Sequence, residues 1–311
     1  MIDLHCDTIS ALYNNPECGS LKKNSLQVDI EKLKQGHSTA QFFAMFVDTA
    51  VIEDSFLYCN NLIRKFYQEL ALNKDCIEIA HNFYEYLEND KNKKISAFLT
   101  IEEGAVLKGD LTNLNRFYQQ GVRLITLTWN YANEIGYPNF NFTYQNKGLT
   151  SFGKSVVCEM NRLGMIVDVS HLSDQGFYDV AKISCKPFVA SHSNSRAMVY
   201  HSRNLTDDMI RVLAEKGGII GINFSNNLLS VSSYSYVEDM IRHMKHIYQI
   251  GGSDVLALGT DFDGIHAILE VENIGQIDKL FGALKSQGFK NDDIEKVSKL
   301  NCLRVIRDCL V

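Results

Sequence analysis

Short apolar runs alternate with longer amphipathic stretches along most of this chain. The runs are rich in Val, Ile, Leu and Phe, which is typical of parallel strands buried on both faces. The stretches between them carry apolar residues at helical spacing, and several follow a Ser or Thr that can cap a helix. The pattern predicts eight strands, over residues 2–6, 40–47, 95–104, 122–129, 165–171, 187–193, 217–224 and 255–264.

Eight strands that alternate with helices, in a chain of 311 residues, predict an α/β fold of the (β/α)8 or TIM-barrel type. An open, doubly wound sheet is the structural alternative, but no GxGxxG motif follows the first strand to support it. The chain has only 3 Pro and no Ser/Gly-rich linker, so we expect a single domain over residues 1–311. Amphipathic helices are predicted over residues 54–72 and 77–88, among others.

Charge and cysteine content exclude several functional classes. The net charge is −6 with acidic and basic residues interleaved, so the chain offers no basic face for nucleic acid. The 8 cysteines are scattered without CxxC pairs and are interpreted as reduced, mostly buried thiols. No apolar run approaches the ~20 residues of a membrane span. The opening MIDLHCDT and the closing RDCLV resemble neither a signal peptide nor a prenylation box. We therefore expect a cytoplasmic protein without a membrane partner.

Two of the predicted strands end in histidine, His171 and His192. They belong to one predicted βαβ unit, whose parallel strands bring both imidazoles to the same edge of the sheet. Either histidine alone is more typical of an ordinary half-exposed position than of a ligand. In a barrel, however, all the strand ends meet at one mouth, where polar residues from other strands join them.

The other polar candidates at this mouth come from three strands. His5 and Asp7 alternate onto one face at the end of the first strand. Glu102 and Glu103 are adjacent, so only one of them can face the same way. Asp261 ends the eighth strand, where a turn-capping role is the alternative to a catalytic one.

This set of side chains is typical of a metal centre. Three histidines with carboxylates suit Zn²⁺ or a similar divalent ion. A mononuclear catalytic site needs about three protein ligands, so the surplus predicts two metals with a bridging carboxylate. Two such ions lower the pKa of a shared water towards ~7. Asp261 is the candidate carboxylate that accepts and returns the proton of that water.

Taken together, the H-x-D of the first strand, TIEEGA, NRLGMIVDVSH, PFVASHS, HSRN and LGTDFDG resemble the membrane (renal) dipeptidase family, peptidase family M19 of the amidohydrolase superfamily. The resemblance covers essentially the whole chain in the same order. It implies hydrolysis of dipeptides, including those with a D-residue at the carboxyl side. The attacking group would be a hydroxide bridging two divalent metal ions, with Zn²⁺ expected. Family members tend to be dimers, which makes a homodimer one further expectation.

The resemblance also assigns roles to individual residues. It implies that one ion is held by His5 and Asp7 and the other by His171 and His192. Glu103 would bridge the two ions. Glu103 and Asp261, the latter as the proton acceptor, would be the catalytic residues. Arg203 in HSRN matches the arginine that grips the C-terminal carboxylate of the substrate, for which a guanidinium fork is well shaped. Glu102 would then point away from the site.

One departure from the family concerns Trp129, which stands where members carry a histidine that contacts the substrate. An indole N–H donates one hydrogen bond but takes up no proton, so stabilisation of the oxyanion would fall more heavily on the metals. The loop over residues 130–148 is expected to shape the pocket beside it.

Two alternatives to a dipeptidase stay open. Other amidohydrolase-type reactions include deamination and the hydrolysis of lactones or phosphotriesters, but those enzymes usually begin with H-x-H and often bridge their metals with a late lysine. A non-catalytic barrel is the second alternative, and only Trp129 favours it.

Overall fold

A parallel sheet of nine strands forms the centre of the computed structural model, which describes residues 1–310. The strands of the protein in chain order are β1 Ile2–Cys6, β2 Ala40–Phe46, β3 Ile77–Ile79, β4 Ile95–Glu102, β5 Val122–Thr126, β6 Ile166–Asp168, β7 Val189–Ser193, β8 Ile219–Ile222, β9 Tyr234–Ser235, β10 Leu256–Leu258 and β11 Ile268–Leu269. β9 and β11 pair with each other in a separate small sheet.

Eight of these strands close into a ring in the order β1, β2, β4, β5, β6, β7, β8, β10 and back to β1. β2 and β4 pair along their length, from Ala40 opposite Ser96 to Phe46 opposite Glu102. The ring closes where Asp3 of β1 lies opposite Leu258 of β10. The predicted (β/α)8 barrel is therefore confirmed.

The closing seam is reinforced by a buried side chain. The carboxylate of Asp3 accepts hydrogen bonds from the backbone N–H of Thr260 at 2.8 Å and from its hydroxyl at 2.9 Å. On the other side of β1, it accepts one from Nε2 of Gln41 at 2.7 Å. A fully buried carboxylate thus joins the first strand of the ring to both of its neighbours.

Residues 77–88, predicted as one helix, divide into a strand and the start of a helix. β3 extends the sheet beside the first half of β4, with Ile77 opposite Ile95. The helix that follows begins after Asn82, whose side-chain oxygen accepts the N–H groups of Tyr84 and Glu85. The prediction was wrong at its start because the cap lies five residues further along than Ile77.

The helices surround the ring and connect its strands. They are α1 Thr8–Asn14, α2 Ile30–Gln35, α3 Ser55–Leu72, α4 Phe83–Lys91, α5 Leu111–Gln119, α6 Ser151–Leu163, α7 Asp174–Ile183, α8 Asp207–Glu215, α9 Asn226–Leu229, α10 Val237–Gly251, α11 Asp278–Ser286, α12 Asn291–Glu295 and α13 Asn301–Cys309. Short 3₁₀ turns span Pro16–Cys18, Gly104–Leu107, Phe140–Phe142, Ser253–Val255 and Ile274–Gln276, and a π-helical turn, Lys296–Leu300, joins α12 to α13. Within residues 1–310, none of the helices combines the length and the apolar character needed to cross a membrane.

Side chains fill the barrel and seal its amino-terminal end. Phe42 of β2 and Phe98 of β4 stack inside with ring centroids 4.6 Å apart. Val305 and Ile306 of α13 belong to the same buried cluster and cover the starts of the strands. A larger apolar layer lies between the strands and the outer helices. All eight cysteines are free, as predicted, but only four of them are buried, so the expectation of mostly buried thiols was wrong. The opposite end of the barrel, where the strands terminate, is the open one.

Candidate metal centre and active site

A cavity of about 560 Å³ opens at the carboxyl ends of the barrel strands. Its floor carries acidic and imidazole groups, and its wall contains Arg203 and several aromatic side chains. Ligand sites in TIM barrels lie at this end because the strand ends and the loops after them converge there. Nearly all of the residues proposed from sequence lie in or beside this cavity, and each is considered below.

His5, at the end of β1, lies at the centre of a group of carboxylates. Its Nε2 is 3.2 Å from Oε2 of Glu102, 3.4 Å from Oδ2 of Asp7 and 3.8 Å from Oδ1 of Asp261. Burial by itself would lower the pKa of His5, but the charges of Glu102 and Asp7 outweigh burial and raise that pKa well above its usual value. Neither ring nitrogen has a hydrogen-bond partner, although His5 is 1% exposed.

Glu102, the last residue of β4, connects this group to two further histidines. Its Oε1 lies 3.2 Å from Nε2 of His171 and 3.4 Å from Nε2 of His192, while Oε2 faces His5. Burial favours the neutral acid, but the charge of His5 outweighs it, and the pKa of Glu102 falls well below its usual value. One carboxylate therefore spans two clusters of nitrogen and oxygen donors, which is the geometry of a bridging metal ligand.

Glu103 does not reach this centre, so its predicted roles as the bridging ligand and a catalytic residue are wrong. Its carboxylate accepts the backbone N–H groups of Ala105 and Trp129, each at 2.9 Å, and a hydrogen bond from the side-chain amide of Asn133. Burial raises the pKa of Glu103 to about 7. It caps the short helical turn after β4 and ties that turn to the loop after β5. The alternation of side chains along β4 gives the inward position to Glu102 instead.

His171 and His192 meet as the sequence predicts, with their Nε2 atoms 3.0 Å apart. The hydrogen-bond partners of the other ring nitrogens assign the tautomers. Nδ1 of His171 lies 3.2 Å from the amide oxygen of Asn130, which can only accept a proton. Nδ1 of His192 lies 2.8 Å from the hydroxyl of Ser191. That hydroxyl donates its only proton elsewhere, so Nδ1 of His192 must be the donor.

The proton of Ser191 goes to Asp168, the last residue of β6, at 2.6 Å. The same carboxylate accepts the hydroxyl of Thr126 at 2.6 Å and the backbone N–H groups of Ser170 and Ser191 at 3.0 and 2.9 Å. Asp168 is fully buried and links the ends of β5, β6 and β7. Sequence reasoning missed it, although a charged residue inside the apolar run MIVDV was a signal.

Both Nε2 atoms therefore carry a lone pair, and these lone pairs point at each other and at an anionic oxygen. Burial lowers the pKa of His171 to about 4 and holds the pKa of His192 well below its usual value, so protons do not relieve the contact. Oε1 of Glu102 has no hydrogen-bond partner either. Neutral imidazoles with a buried carboxylate suit a divalent cation. The donor set thus fits a metal between His171, His192 and Glu102.

A second group of donors lies on the other side of Glu102. Ligand atoms of His5, Asp7 and Asp261 lie within 4.8 Å of one another. Oδ1 of Asp7 has no hydrogen-bond partner. A Cβ at position 264 would lie 2.1 Å from Oδ2 of Asp7 and 3.0 Å from Oδ1 of Asp261, so only glycine lets this turn pass so close to both carboxylates. His5, Asp7 and Glu102 could hold a second metal, with Asp261 beside it.

Asp261 is held at the edge of this group by a partner that sequence reasoning also missed. Its Oδ2 accepts a hydrogen bond from Nδ2 of Asn223 at 2.7 Å, which leaves Oδ1 directed towards His5. Burial raises the pKa of Asp261 to about 7. Its φ of +62° lies in the left-handed region, so the chain turns out of the strand at this residue.

Arg203 lies in the cavity wall and is 7% exposed. Its Nη2 donates to the carbonyl oxygen of His192 at 3.1 Å, and its Nη1 has no partner. The backbone N–H of Arg203 donates to Nδ1 of His201 at 3.1 Å. A buried guanidinium with an unused N–H group at the edge of a cavity is suited to bind an anionic group of a ligand.

Trp129 also lines the cavity, as does the loop after it through Asn130 and Phe140. The indole ring packs against Phe46 at the end of β2, with ring centroids 4.8 Å apart. Its centroid lies 6.2 Å from that of His171. The prediction that residues 130–148 shape the pocket is therefore confirmed for these two loop residues.

Comparisons with known proteins identify the family and the fold of the chain. Residues 1–310 match the family model described as membrane dipeptidase (peptidase family M19). A Klebsiella pneumoniae protein, described as the uncharacterized protein in the pqqA 5′ region, is 34% identical over 232 residues, which cover 71% of this chain and 85% of that protein.

Solved structures share the fold over nearly the whole chain. Dipeptidase AC, a metallopeptidase of family M19, superposes with a TM-score of 0.92 at 24% identity, over 99% of this chain and 98% of the other. A metallopeptidase from Rhodobacter sphaeroides, liganded with a phosphinate mimic of the dipeptide L-Ala-D-Ala, superposes with a TM-score of 0.90 at 23% identity and the same coverage.

Proposed function

Because this chain belongs to the membrane dipeptidase family, peptidase family M19, it is a metallopeptidase that acts as a dipeptidase, and we propose that it works with two divalent ions, Zn²⁺ in the first instance. One ion would be held by His5 and Asp7, the other by His171 and His192. Glu102 would bridge them.

The observation that carries this proposal is the contact between the imidazoles of His171 and His192. Their Nε2 atoms approach to 3.0 Å with both protons on the opposite nitrogens. Two lone pairs and the Oε1 atom of Glu102 then point at one another inside a buried site, which is costly without a cation. Oδ1 of Asp7 and Nε2 of His5, which are buried without hydrogen-bond partners, support a second ion on the other side of the carboxylate.

When bound, the two ions would polarise the peptide carbonyl and lower the pKa of the attacking water. Proton transfer would be carried out by a side chain of the protein. Oδ1 of Asp261 faces the centre while Asn223 holds Oδ2, so Asp261 is positioned to take the proton of the water and deliver it to the leaving amine. Trp129 stands where the family resemblance leads us to expect a histidine that contacts the substrate. Its indole N–H can donate a hydrogen bond but cannot take up a proton.

Arg203 would bind the C-terminal carboxylate of the dipeptide through its free Nη1. A guanidinium recognises that carboxylate whatever the configuration of the residue bearing it. The Rhodobacter sphaeroides metallopeptidase holds a mimic of L-Ala-D-Ala. We extend the proposal to dipeptides with a C-terminal D-residue on these two grounds. A deaminase or phosphotriesterase reaction has no comparable use for Arg203.

The test is metal removal and replacement. Protein treated with a chelator should lose activity, and Zn²⁺ should restore it on L-Ala-L-Ala and L-Ala-D-Ala, with two ions bound per chain by elemental analysis. The matched control is L-alaninamide coupled to L-Ala, a dipeptide amide without the free carboxylate, which should be a poor substrate. Full metal content without dipeptide hydrolysis would overturn the proposal. Cytoplasmic location and a homodimer stay predictions, for which subcellular fractionation and light scattering are the measurements.

A further inference from the structure

Two aromatic side chains, Phe46 and Trp129, lie side by side in the cavity wall, and Phe46 lies across the barrel from Arg203. In a ring of eight strands, β2 lies directly across from β7, and Arg203 lies in the loop that follows β7. Phe46 ends β2, and Trp129 follows β5. Their rings pack edge to face with centroids 4.8 Å apart, and both line the cavity.

This placement orients a bound dipeptide. If its carboxylate pairs with Arg203, the peptide carbonyl lies over the metal ligands at the centre, because a dipeptide spans only about 7 Å. The residue on the amino side of that carbonyl then extends away from Arg203. The surface it meets is the pair formed by Phe46 and Trp129.

We propose that Phe46 and Trp129 form the subsite for the side chain of the N-terminal residue and make the enzyme prefer large apolar residues, such as Leu or Phe, at that position. This inference rests on the proposed dipeptidase function. The indole is half-buried, so part of its surface is available to a substrate. Apolar contact of this kind discriminates between side chains because each additional buried methylene favours binding.

A purely structural role for Trp129 makes a different prediction. Its ring lies near His171, and it also packs against Tyr131 at 5.7 Å. If the indole only supports His171, its removal should slow the hydrolysis of every dipeptide by the same factor. If it forms the subsite, its removal should abolish the discrimination between substrates.

The experiment measures kcat/KM for Gly-L-Ala, L-Leu-L-Ala, L-Phe-L-Ala and L-Lys-L-Ala with the zinc-loaded enzyme. We expect Leu and Phe to exceed Gly by on the order of 10- to 100-fold. In Trp129→Ala and in Phe46→Ala this ratio should fall to within about threefold, mainly through KM, and Trp129→Phe should restore part of it. Tyr131→Ala is the matched control, because Tyr131 contacts Trp129 and is 41% exposed but does not line the cavity.

Four outcomes overturn the inference while leaving the dipeptidase function intact. The first is that Trp129→Ala lowers kcat/KM by the same factor for all four substrates, and the second is that the wild-type enzyme prefers Lys over Leu at the N-terminal position. The third is that Tyr131→Ala loses the discrimination between substrates to the same extent. The fourth is that Trp129→Ala changes the relative kcat/KM values of a series of dipeptides that differ only in the C-terminal residue. Absence of hydrolysis of any dipeptide by the wild-type enzyme would instead refute the proposed function itself.

Discussion

Glu102 and Glu103 are consecutive residues whose carboxylates serve different structures. Oε1 of Glu102 lies 3.2 Å from Nε2 of His171, whereas Oε2 of Glu103 accepts the backbone N–H of Trp129 at 2.9 Å. The first carboxylate belongs to the candidate metal centre and the second to the backbone around it. The same substitution made separately at Glu102 and at Glu103 therefore compares two neighbouring carboxylates, of which only the first faces the candidate metal centre.

Glu102→Gln should lose metal, because an amide cannot bridge two cations as a carboxylate does. We expect fewer than two ions per chain by elemental analysis and a fall in kcat/KM of more than about 100-fold. Glu103→Gln should keep both ions but unfold about 1–3 kcal/mol more easily in a denaturant titration, since some of its buried hydrogen bonds are lost. The reverse pattern would restore Glu103 as the bridging residue.

Asp168→Asn should weaken metal binding although Asp168 is not a ligand. The carboxylate fixes the Ser191 hydroxyl that holds the tautomer of His192. Loss of such a partner typically costs about 10- to 100-fold in metal affinity. Competition with a chelator would measure the affinity, and ¹⁵N NMR of the His192 ring would report its tautomer.

Asp174→Asn is the control for Asp168→Asn. Asp174 is also a mostly buried carboxylate, paired with Arg196 at 2.6 Å, but it has no contact with the metal centre. We expect it to lower stability and leave metal affinity unchanged. Equal metal affinities in the two variants would show that Asp168 is only structural.

Arg203→Met should raise KM for dipeptides about 10- to 100-fold, because a hydrogen bond to a charged group contributes about 1.5–3 kcal/mol. Metal content should stay at the wild-type value. Hydrolysis of a dipeptide amide, which has no carboxylate to bind, should change much less. An unchanged KM for the free dipeptide would exclude Arg203 as the carboxylate-binding residue.

Asp261→Asn should keep two ions bound while kcat falls about 10²- to 10⁴-fold, the usual contribution of a proton-transferring group. Asn223→Ala, which removes the partner of Oδ2 and the acceptor of the Ser225 N–H but keeps the carboxylate, should reduce kcat less. Pre-steady-state measurements would show whether the chemical step is the one that slows. Loss of one ion in Asp261→Asn would make this residue a ligand rather than a proton acceptor.

His243 should make the protein sensitive to acid. Its Nδ1 accepts the N–H of Ser195 at 3.1 Å, and its Nε2 faces the carbonyl oxygen of Leu229 at 3.0 Å. Burial lowers the pKa of His243 from 6.5 to about 4, so the native state favours the neutral ring. Its contribution is therefore complete above pH ~6.5 and is lost as the pH falls through ~4, by on the order of 3 kcal/mol.

The test is the pH dependence of the free energy of unfolding. His243→Gln keeps a donor and an acceptor but no titrating ring, so the decline between pH ~6.5 and ~4 should become shallower by about 3 kcal/mol. His266→Gln, at an exposed position, is the control and should follow the wild type. A decline that is as steep in His243→Gln as in the wild type would assign the acid sensitivity to other groups.

The fold followed from the pattern of apolar runs, but the ends of the strands did not. The runs over residues 165–171 and 255–264 contain strands only over Ile166–Asp168 and Leu256–Leu258. His171, Asp261 and Asp263 have positive φ values of 66°, 62° and 68°. A left-handed residue turns the chain out of the ladder, and although Asp and His adopt this conformation more often than most residues, they do so too rarely for the sequence to single out these positions.

The choice between Glu102 and Glu103 could have been made from the sequence of β4. Along this strand, Ser96, Phe98, Thr100 and Glu102 share one face, and Ala97, Leu99 and Ile101 share the other. Polar residues recur on the first face because it leads to the barrel mouth, while the aliphatic face meets the outer helices. The roles of Asp168 and Asn223 could not be predicted in the same way, because only the folded backbone brings them within hydrogen-bond distance of Ser191 and Asp261.

The seam between β1 and β10 joins the two ends of the barrel sequence. Asp3 and Thr260, which hold it together, are 257 residues apart in the chain. The first strand carries His5, and the last strand of the ring leads into Asp261. His5, Asp7 and Asp261, on one side of the candidate metal centre, thus come from the earliest and the latest parts of the barrel, whereas His171, which follows β6, and His192 of β7, on the other side, come from its middle. The group around His5 is complete only once the ring has closed, so binding of an ion to this group during refolding would report ring closure.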